Sequence, residues 1–173
     1  MKSLTLAIGK LIDMVGYLCG LLMILMVLNV FYDVVMRYVF NDASIGMQEL
    51  EWHLFATMFM FGIGFTLKQG GHVRVDIIYD RLSPKAQAWI DIIGTLIFAI
   101  PFTTLIVYFG YGYSLDAFQM GEGSADPGGL PHRWIIRSVI PLASSFVILC
   151  FIHLLMEKVG VLLDNSDQHG VGL

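Results

Sequence analysis

The stretch MVGYLCGLLMILMVLNVFY, residues 14–32, decides the fold, because its 19 residues between Asp13 and Asp33 carry no charge. A helix needs about 20 apolar residues to cross a hydrocarbon core roughly 30 Å thick. Only helices and closed barrels span lipid, since every backbone polar group must find a partner there. Barrel strands are about 10 residues long and alternate in polarity, unlike this stretch. The stretch therefore predicts a membrane-spanning helix.

Three further uncharged stretches, of 16, 24 and 19 residues, follow along the chain. The composition agrees, because 57% of the residues are hydrophobic and only 14% are charged, whereas about 25% are charged in soluble domains. We therefore predict an all-α integral membrane protein of one domain, with four transmembrane helices and short interfacial helical segments. The predicted spans are approximately 14–36, 47–67, 86–115 and 134–156, with an outer loop at 116–133 and a polar C-terminal tail at 159–173.

The distribution of positive charge predicts the orientation. Seven of the ten Lys and Arg residues lie at the two termini and in the connection between the second and third spans. Because Lys and Arg favour the cytoplasmic side, we predict that both termini are cytoplasmic and that the 116–133 loop lies outside. The first apolar stretch is too long for a cleaved signal peptide and has no small-x-small site before Asp33, so we expect it to be retained.

Local signals predict where helices begin and bend. Asp42 or Ser44 can cap the second helix, and Ser83-Pro84 is typical of a helix start. Pro101 lies near the middle of the third span and lacks a backbone donor, so we expect a kink near Ile97.

The sequence argues against an enzyme and against a cofactor site. It contains no nucleophile elbow, phosphate-binding loop or H-E-x-x-H motif. A haem-binding anchor subunit of a quinone oxidoreductase is the alternative, but it needs two helical histidines at similar depth. His53 is predicted at the outer mouth and His153 near the inner end. We therefore expect no catalytic residue, no cofactor and no metal, and no basic run suggests nucleic acid.

Transport by this chain alone is also disfavoured. A small four-span antiporter needs an ionisable residue well inside the bilayer. The interior of every predicted span lacks Asp, Glu, Lys and Arg, and Asp33 comes nearest. Asn29, Asp33 and Arg37 follow at four-residue spacing and so share one helix face. They form either a polar seam against a partner subunit or an Asp–Arg pair at the membrane surface.

Several short motifs occur in order around the predicted spans. They are Arg37-Tyr38-Val39-Phe40-Asn41 after the first span, Glu49-Leu50 opening the second, His72-Val73-Arg74-Val75-Asp76 and Leu82-Ser83 before the third, Gly121, Glu122 and Ser124 in the outer loop, and Pro131, Trp134 and Pro141 around the fourth. Together they resemble the small membrane subunit (DctQ-like) of tripartite ATP-independent periplasmic (TRAP) transporters over most of the chain. Many members carry Trp where this chain has Gly46.

The resemblance implies a transporter of three parts in the bacterial inner membrane. A periplasmic substrate-binding protein captures an organic acid, and a large membrane subunit moves it inward with a sodium gradient. The small subunit would be a scaffold beside the large one. The run 48–55 resembles a branch linked to 2-oxo acids or related organic acids.

The residues of these motifs are the candidates for subunit contacts. Our hypothesis is that Arg37, Glu49 and the Glu122–Ser124 loop form an outer docking side and that His72–Asp76 braces the inner side. The alternative is that these residues cap and tether the subunit's own helices. The full candidate set is Asp33, Arg37, Glu49, Trp52, His72, Arg74, Asp76, Glu122, Ser124, Pro131 and Trp134.

Overall fold

Four long helices make up most of the described part of the chain. The structure is a computed structural model that describes residues 2–71, 79 and 81–167. Helix α1 is Lys2–Val39, α2 is Ile45–Lys68, α3 joins Pro84–Gly94, Thr95–Ala99 and Ile100–Gln119, and α4 is Trp134–Asp167. All four are long and apolar enough to cross a membrane. The predicted all-α fold with four transmembrane helices is confirmed.

All four helices are longer than their predicted spans, and α1 and α4 extend furthest beyond them. Helix α1 begins at Lys2, so the residues before the predicted span 14–36 are continuous with the spanning helix. Packing stabilises this first part of the helix, because Ile8 and Ile12 lie one turn apart and are both buried against Leu67 and Cys150. Helix α4 continues to Asp167, into the segment expected to be a polar tail.

The predicted caps are present at both sites. The Ser44 hydroxyl accepts a hydrogen bond from the Met47 backbone N–H, and the Ser83 hydroxyl accepts one from Ala86. Each bond satisfies one of the donors that a helix start leaves unpaired. These caps fix the first turns of α2 and α3.

A π turn interrupts α3 at the place where a kink was predicted. Thr95–Ala99 adopts π-helical geometry, and the Ile100 N–H donates to the Thr95 carbonyl, five residues back. Pro101 follows directly and has no N–H to donate. The wider turn therefore accommodates the proline where a kink near Ile97 was predicted, as π turns commonly do inside α-helices.

Glycines set the close approaches between neighbouring helices. Helix α1 packs mainly on α2, α2 on α4, and α4 on α3. A Cβ added at Gly16 would lie 2.3 Å from the Phe65 ring, and one at Gly64 would lie 2.6 Å from Phe146 and 2.7 Å from the Cys150 sulfur. Small residues let membrane helices approach closely, because packing rather than hydrophobic transfer drives their association.

The two ends of the bundle differ in what they hold. The terminal end, defined by residues 2–13, 65–71 and 81–92 together with the second half of α4, contains the buried cluster around Ile12. The loop end, defined by residues 37–53 and 113–137, contains the connection from α1 to α2 and the connection from α3 to α4. Between the ends, large apolar side chains are exposed along all four helices. That exposure suits a protein whose sides face lipid or another membrane subunit.

Candidate functional site

Glu49 is the centre of the loop end. It lies in the first turns of α2 and is only 6% exposed. Its carboxylate accepts a hydrogen bond from the Ser124 hydroxyl at 2.5 Å and another from the Leu130 backbone N–H at 2.6 Å. The Ser124 N–H donates in turn to the Leu130 carbonyl at 3.1 Å. One side chain of α2 therefore closes the 124–130 segment into a ring, and we call this arrangement the Glu49 clamp.

Two glycines make the clamp sterically possible. A Cβ at Gly129 would lie 2.3 Å from the Ser124 oxygen and 2.8 Å from a Glu49 oxygen. A Cβ at Gly46 would lie 3.3 Å from the Gly128 carbonyl oxygen. The loop therefore rests directly on the first turn of α2, and a large side chain at position 46 would need the loop to move.

Glu122 forms a second tether at the loop end. Its carboxylate lies 2.5 Å from an Arg137 nitrogen and 4.0 Å from an Arg133 nitrogen. The Arg133 backbone N–H also donates to the Glu122 carbonyl at 2.8 Å. Arg137 covers the Tyr113 ring, with its Cζ atom 4.0 Å from the ring centroid. This tether joins the end of α3, the loop and the start of α4.

Aromatic side chains surround the two tethers. Trp52 is 41% exposed, and its ring contacts the His53 ring at a tilt, with ring centroids 4.1 Å apart. Trp134 meets the Phe118 ring edge-on at 5.4 Å. Trp at the ends of spans is typical of membrane–water interfaces. Pro131 is exposed just before the start of α4.

Asp33 and Arg37 pair within α1 and do not join the clamp. Asp33 is 5% exposed, and the Arg37 guanidinium donates a short hydrogen bond to its carboxylate. Asn29, one turn earlier, donates to the Met47 carbonyl of α2 at 2.9 Å. The polar face of α1 is thus partly used within the subunit, where it joins α1 to the start of α2.

The terminal end has its own ion pairs, which sequence reasoning missed. Lys68 contacts Asp13 at 2.6 Å and the Gly9 carbonyl at 2.8 Å, so it joins α2 to α1. Lys158 contacts Asp91 at 2.6 Å and joins α4 to α3. The candidates His72, Arg74 and Asp76 lie outside the described residues. The sequence did hold a signal for the first pair. Asp13 directly precedes the first predicted span and Lys68 directly follows the second, so two consecutive antiparallel helices bring them to the same end.

The charged side chains hold the helices together at their two ends, and the spans between these ends carry none. Charged side chains lie near the two ends of the helices, and the stretches between them are uncharged. His53 lies beside the Glu49 backbone at the loop end, whereas His153 packs near Gly9 at the terminal end. No group of three His, Cys, Asp or Glu able to hold a metal occurs within residues 2–71, 79 and 81–167.

Four apolar helices joined by polar contacts at their ends define a multi-pass helical membrane protein. The sequence profile of a family described as "Tripartite ATP-independent periplasmic transporters, DctQ component" matches residues 26–160. The chain belongs to this family, and it is therefore a TRAP transporter small permease subunit of the inner membrane rather than an enzyme.

Individual relatives agree with the family. A TRAP transporter small permease protein of Haemophilus influenzae is 27% identical over 132 residues, which cover 76% of this chain and 80% of the relative. The C4-dicarboxylate TRAP transporter small permease protein DctQ of Rhodobacter capsulatus is 31% identical over 60% of this chain and 44% of its own length. The protein of that name from Pseudomonas aeruginosa is 26% identical over 73% of this chain and 60% of its own length.

Proposed function

We propose that this chain is the scaffold subunit of a sodium-coupled transporter for organic acids, and that it works with a large membrane subunit and a periplasmic binding protein. Family membership supports the three-part assembly in general. Two relatives carry the word C4-dicarboxylate in their names, which supports an organic acid as substrate. The resemblance of residues 48–55 favours a 2-oxo acid within that class.

The observation that carries the proposal is the uncharged interior of the four spans. A path for an organic anion or a sodium ion through the bilayer needs polar or charged groups at depth. Here the charged residues lie near the helix ends, where pairs such as Lys68–Asp13 and Arg137–Glu122 join neighbouring helices. A subunit built in this way can hold position beside a moving partner without carrying substrate itself.

The loop end is the proposed docking side for the binding protein. The Glu49 clamp and the Glu122 tether hold the loop in one conformation, while Asp126 and Pro131 remain exposed on it. A preorganised loop loses less conformational entropy on binding than a free one. The same residues therefore tether the subunit's own helices and present the outer surface. In this proposal Arg37, Asp33, Trp52 and Trp134 set the depth of that surface.

Reconstitution tests the proposed function. Proteoliposomes containing the chain alone, the large subunit alone, or both would be supplied with binding protein and a labelled organic acid under an inward sodium gradient. We expect uptake only with both membrane subunits, the binding protein and the gradient. Uptake by the chain alone, or full uptake by the large subunit without it, would contradict the proposal.

A second experiment addresses the proposed inner brace. Arg74 and Asp76 would be replaced together, and the large subunit would be co-purified through a tag on this chain. Arg81, an exposed arginine in the same connection, provides the matched control. We expect reduced recovery of the large subunit for the double variant and normal recovery for Arg81→Gln. Equal recovery in both would remove the inner brace from the proposal.

A further inference from the structure

We propose that the crevice between α2 and the start of α4 binds a phospholipid, with the lipid phosphate on Arg133 and Arg137 and an acyl chain along α2. The crevice has a volume of about 270 Å³ and opens on the side of the bundle at the loop end. Its walls differ in chemistry from mouth to depth, as an amphipathic ligand requires.

The deep part of the crevice is apolar. On α2 the crevice is lined from its mouth inward by Trp52, Ala56 and Met60, which follow at four-residue spacing and so form one stripe. From Trp52 to Met60 this stripe is about 12 Å long at 1.5 Å per residue. On the facing helix it is lined by Ile136 and Ile140. Ala56 is the small residue that leaves the space open.

The mouth of the crevice carries two arginines; Glu122 contacts both, and Glu49 lies within electrostatic range of Arg133. Arg137 donates to Glu122, but the Arg133 nitrogen is 4.0 Å from the same oxygen, beyond hydrogen-bond distance. Among the described residues none accepts a hydrogen bond from the Arg133 guanidinium, although its side chain is only 32% exposed. A guanidinium has five donors in a fork that suits phosphate oxygens. The mouth therefore offers unused donors to an anion.

The position of the mouth favours the phosphate of a lipid over a free phosphate ion. Trp52 lies at the same end of the crevice, and Trp at the end of a span indicates the level of lipid headgroups. A hydrocarbon chain below a phosphate matches the polarity of the walls, which are apolar along α2 and basic at the mouth.

Lipid binding to the purified complex of this chain with its large subunit tests the proposal. Native mass spectrometry would follow titration with dioleoyl phosphatidylglycerol, with dioleoylglycerol and inorganic phosphate as separate probes. We expect saturable binding of the phospholipid, weaker binding of dioleoylglycerol, and no competition from inorganic phosphate. Full displacement by inorganic phosphate would show a free-anion site and overturn the proposal, as would equal binding of dioleoylglycerol.

Two variants locate the site. Arg133→Gln should lower the apparent affinity about fivefold to tenfold, because a charge-assisted contact is lost, while Arg81→Gln at the terminal end should leave it unchanged. Ala56→Phe should block the acyl chain without touching either arginine, and Val27→Phe on the exposed side of α1 is its control. Wild-type binding in both Arg133→Gln and Ala56→Phe would refute the site. Lipid bound by the chain alone but expelled by the large subunit would assign the crevice to that subunit instead.

Discussion

Replacing Gly129 with Ala should release the loop between α3 and α4 from α2. The new Cβ would lie 2.3 Å from the oxygen and 2.5 Å from the Cβ of Ser124, whereas ordinary contacts between such atoms are about 3.5 Å. The Ser124 Cβ is fixed to its backbone, so the whole residue must move by about 1 Å and the Glu49 clamp is disturbed. Overpacking of this kind costs about 1–3 kcal/mol. If the cost falls on the closed loop, its open population rises roughly fivefold to 150-fold.

Amide hydrogen exchange of the 122–133 segment measures that population. In the clamped loop the N–H groups of Ser124, Leu130 and Arg133 all donate within the chain, and their exchange reports local opening. Gly123→Ala is the matched control, because a Cβ there meets nothing within 4 Å and its backbone has no positive φ. We expect faster exchange in Gly129→Ala and wild-type exchange in Gly123→Ala. Unchanged exchange in the first variant, or an equal rise in both, would show that the steric argument is wrong.

Three further predictions concern the helices. Gly64→Ala should destabilise the purified chain by about 1–3 kcal/mol, because its Cβ would overlap two side chains of α4. Gly62→Ala is the control and should leave the stability unchanged, because a Cβ there meets open space. Equal thermal midpoints for the two variants would contradict the close packing of α2 on α4. Lys68→Met should speed amide hydrogen exchange at the start of α1, because the ion pair with Asp13 is lost; the cost is about 1 kcal/mol of stability, since the Asp13 side chain is partly exposed to solvent. Lys10→Met is the control and should leave the exchange unchanged. Wild-type exchange in Lys68→Met would show that this pair does not tether the two helices. The purified chain should show no haem absorbance, and a stoichiometric Soret band would revive the oxidoreductase alternative.

The sequence was sufficient for the spans and for several local features. The uncharged stretches predicted four helices because lipid leaves few alternatives for the backbone. Ser44 and Ser83 were predicted as caps from their positions before apolar runs, and both accept the expected hydrogen bonds. Pro101 predicted a kink near Ile97, and the structure has a π turn at that place. Each of these depends on neighbours within a few residues.

The contacts at the ends of the bundle were beyond such reasoning. Glu49 meets Ser124 and Leu130 across 75 and 81 positions of sequence, and a single sequence does not reveal which distant residue a carboxylate will meet. The choice between a docking role and an internal tether was therefore left open. The packing that extends α1 to Lys2 has the same origin, because Leu67 and Cys150 come from other helices.

The π turn in α3 has a consequence for the phase of that helix. Buried positions before the turn include Ala88, Ile92 and Thr95, and after it Thr103 and Gly110. In a regular helix Thr95 and Thr103 would point about 80° apart, at 100° per residue. The one residue absorbed by the wide turn reduces that angle to about 20°, so a single seam follows α4 along the entire helix. Cysteine cross-linking along α3 should accordingly show its reactive positions shifted by one residue on crossing the turn.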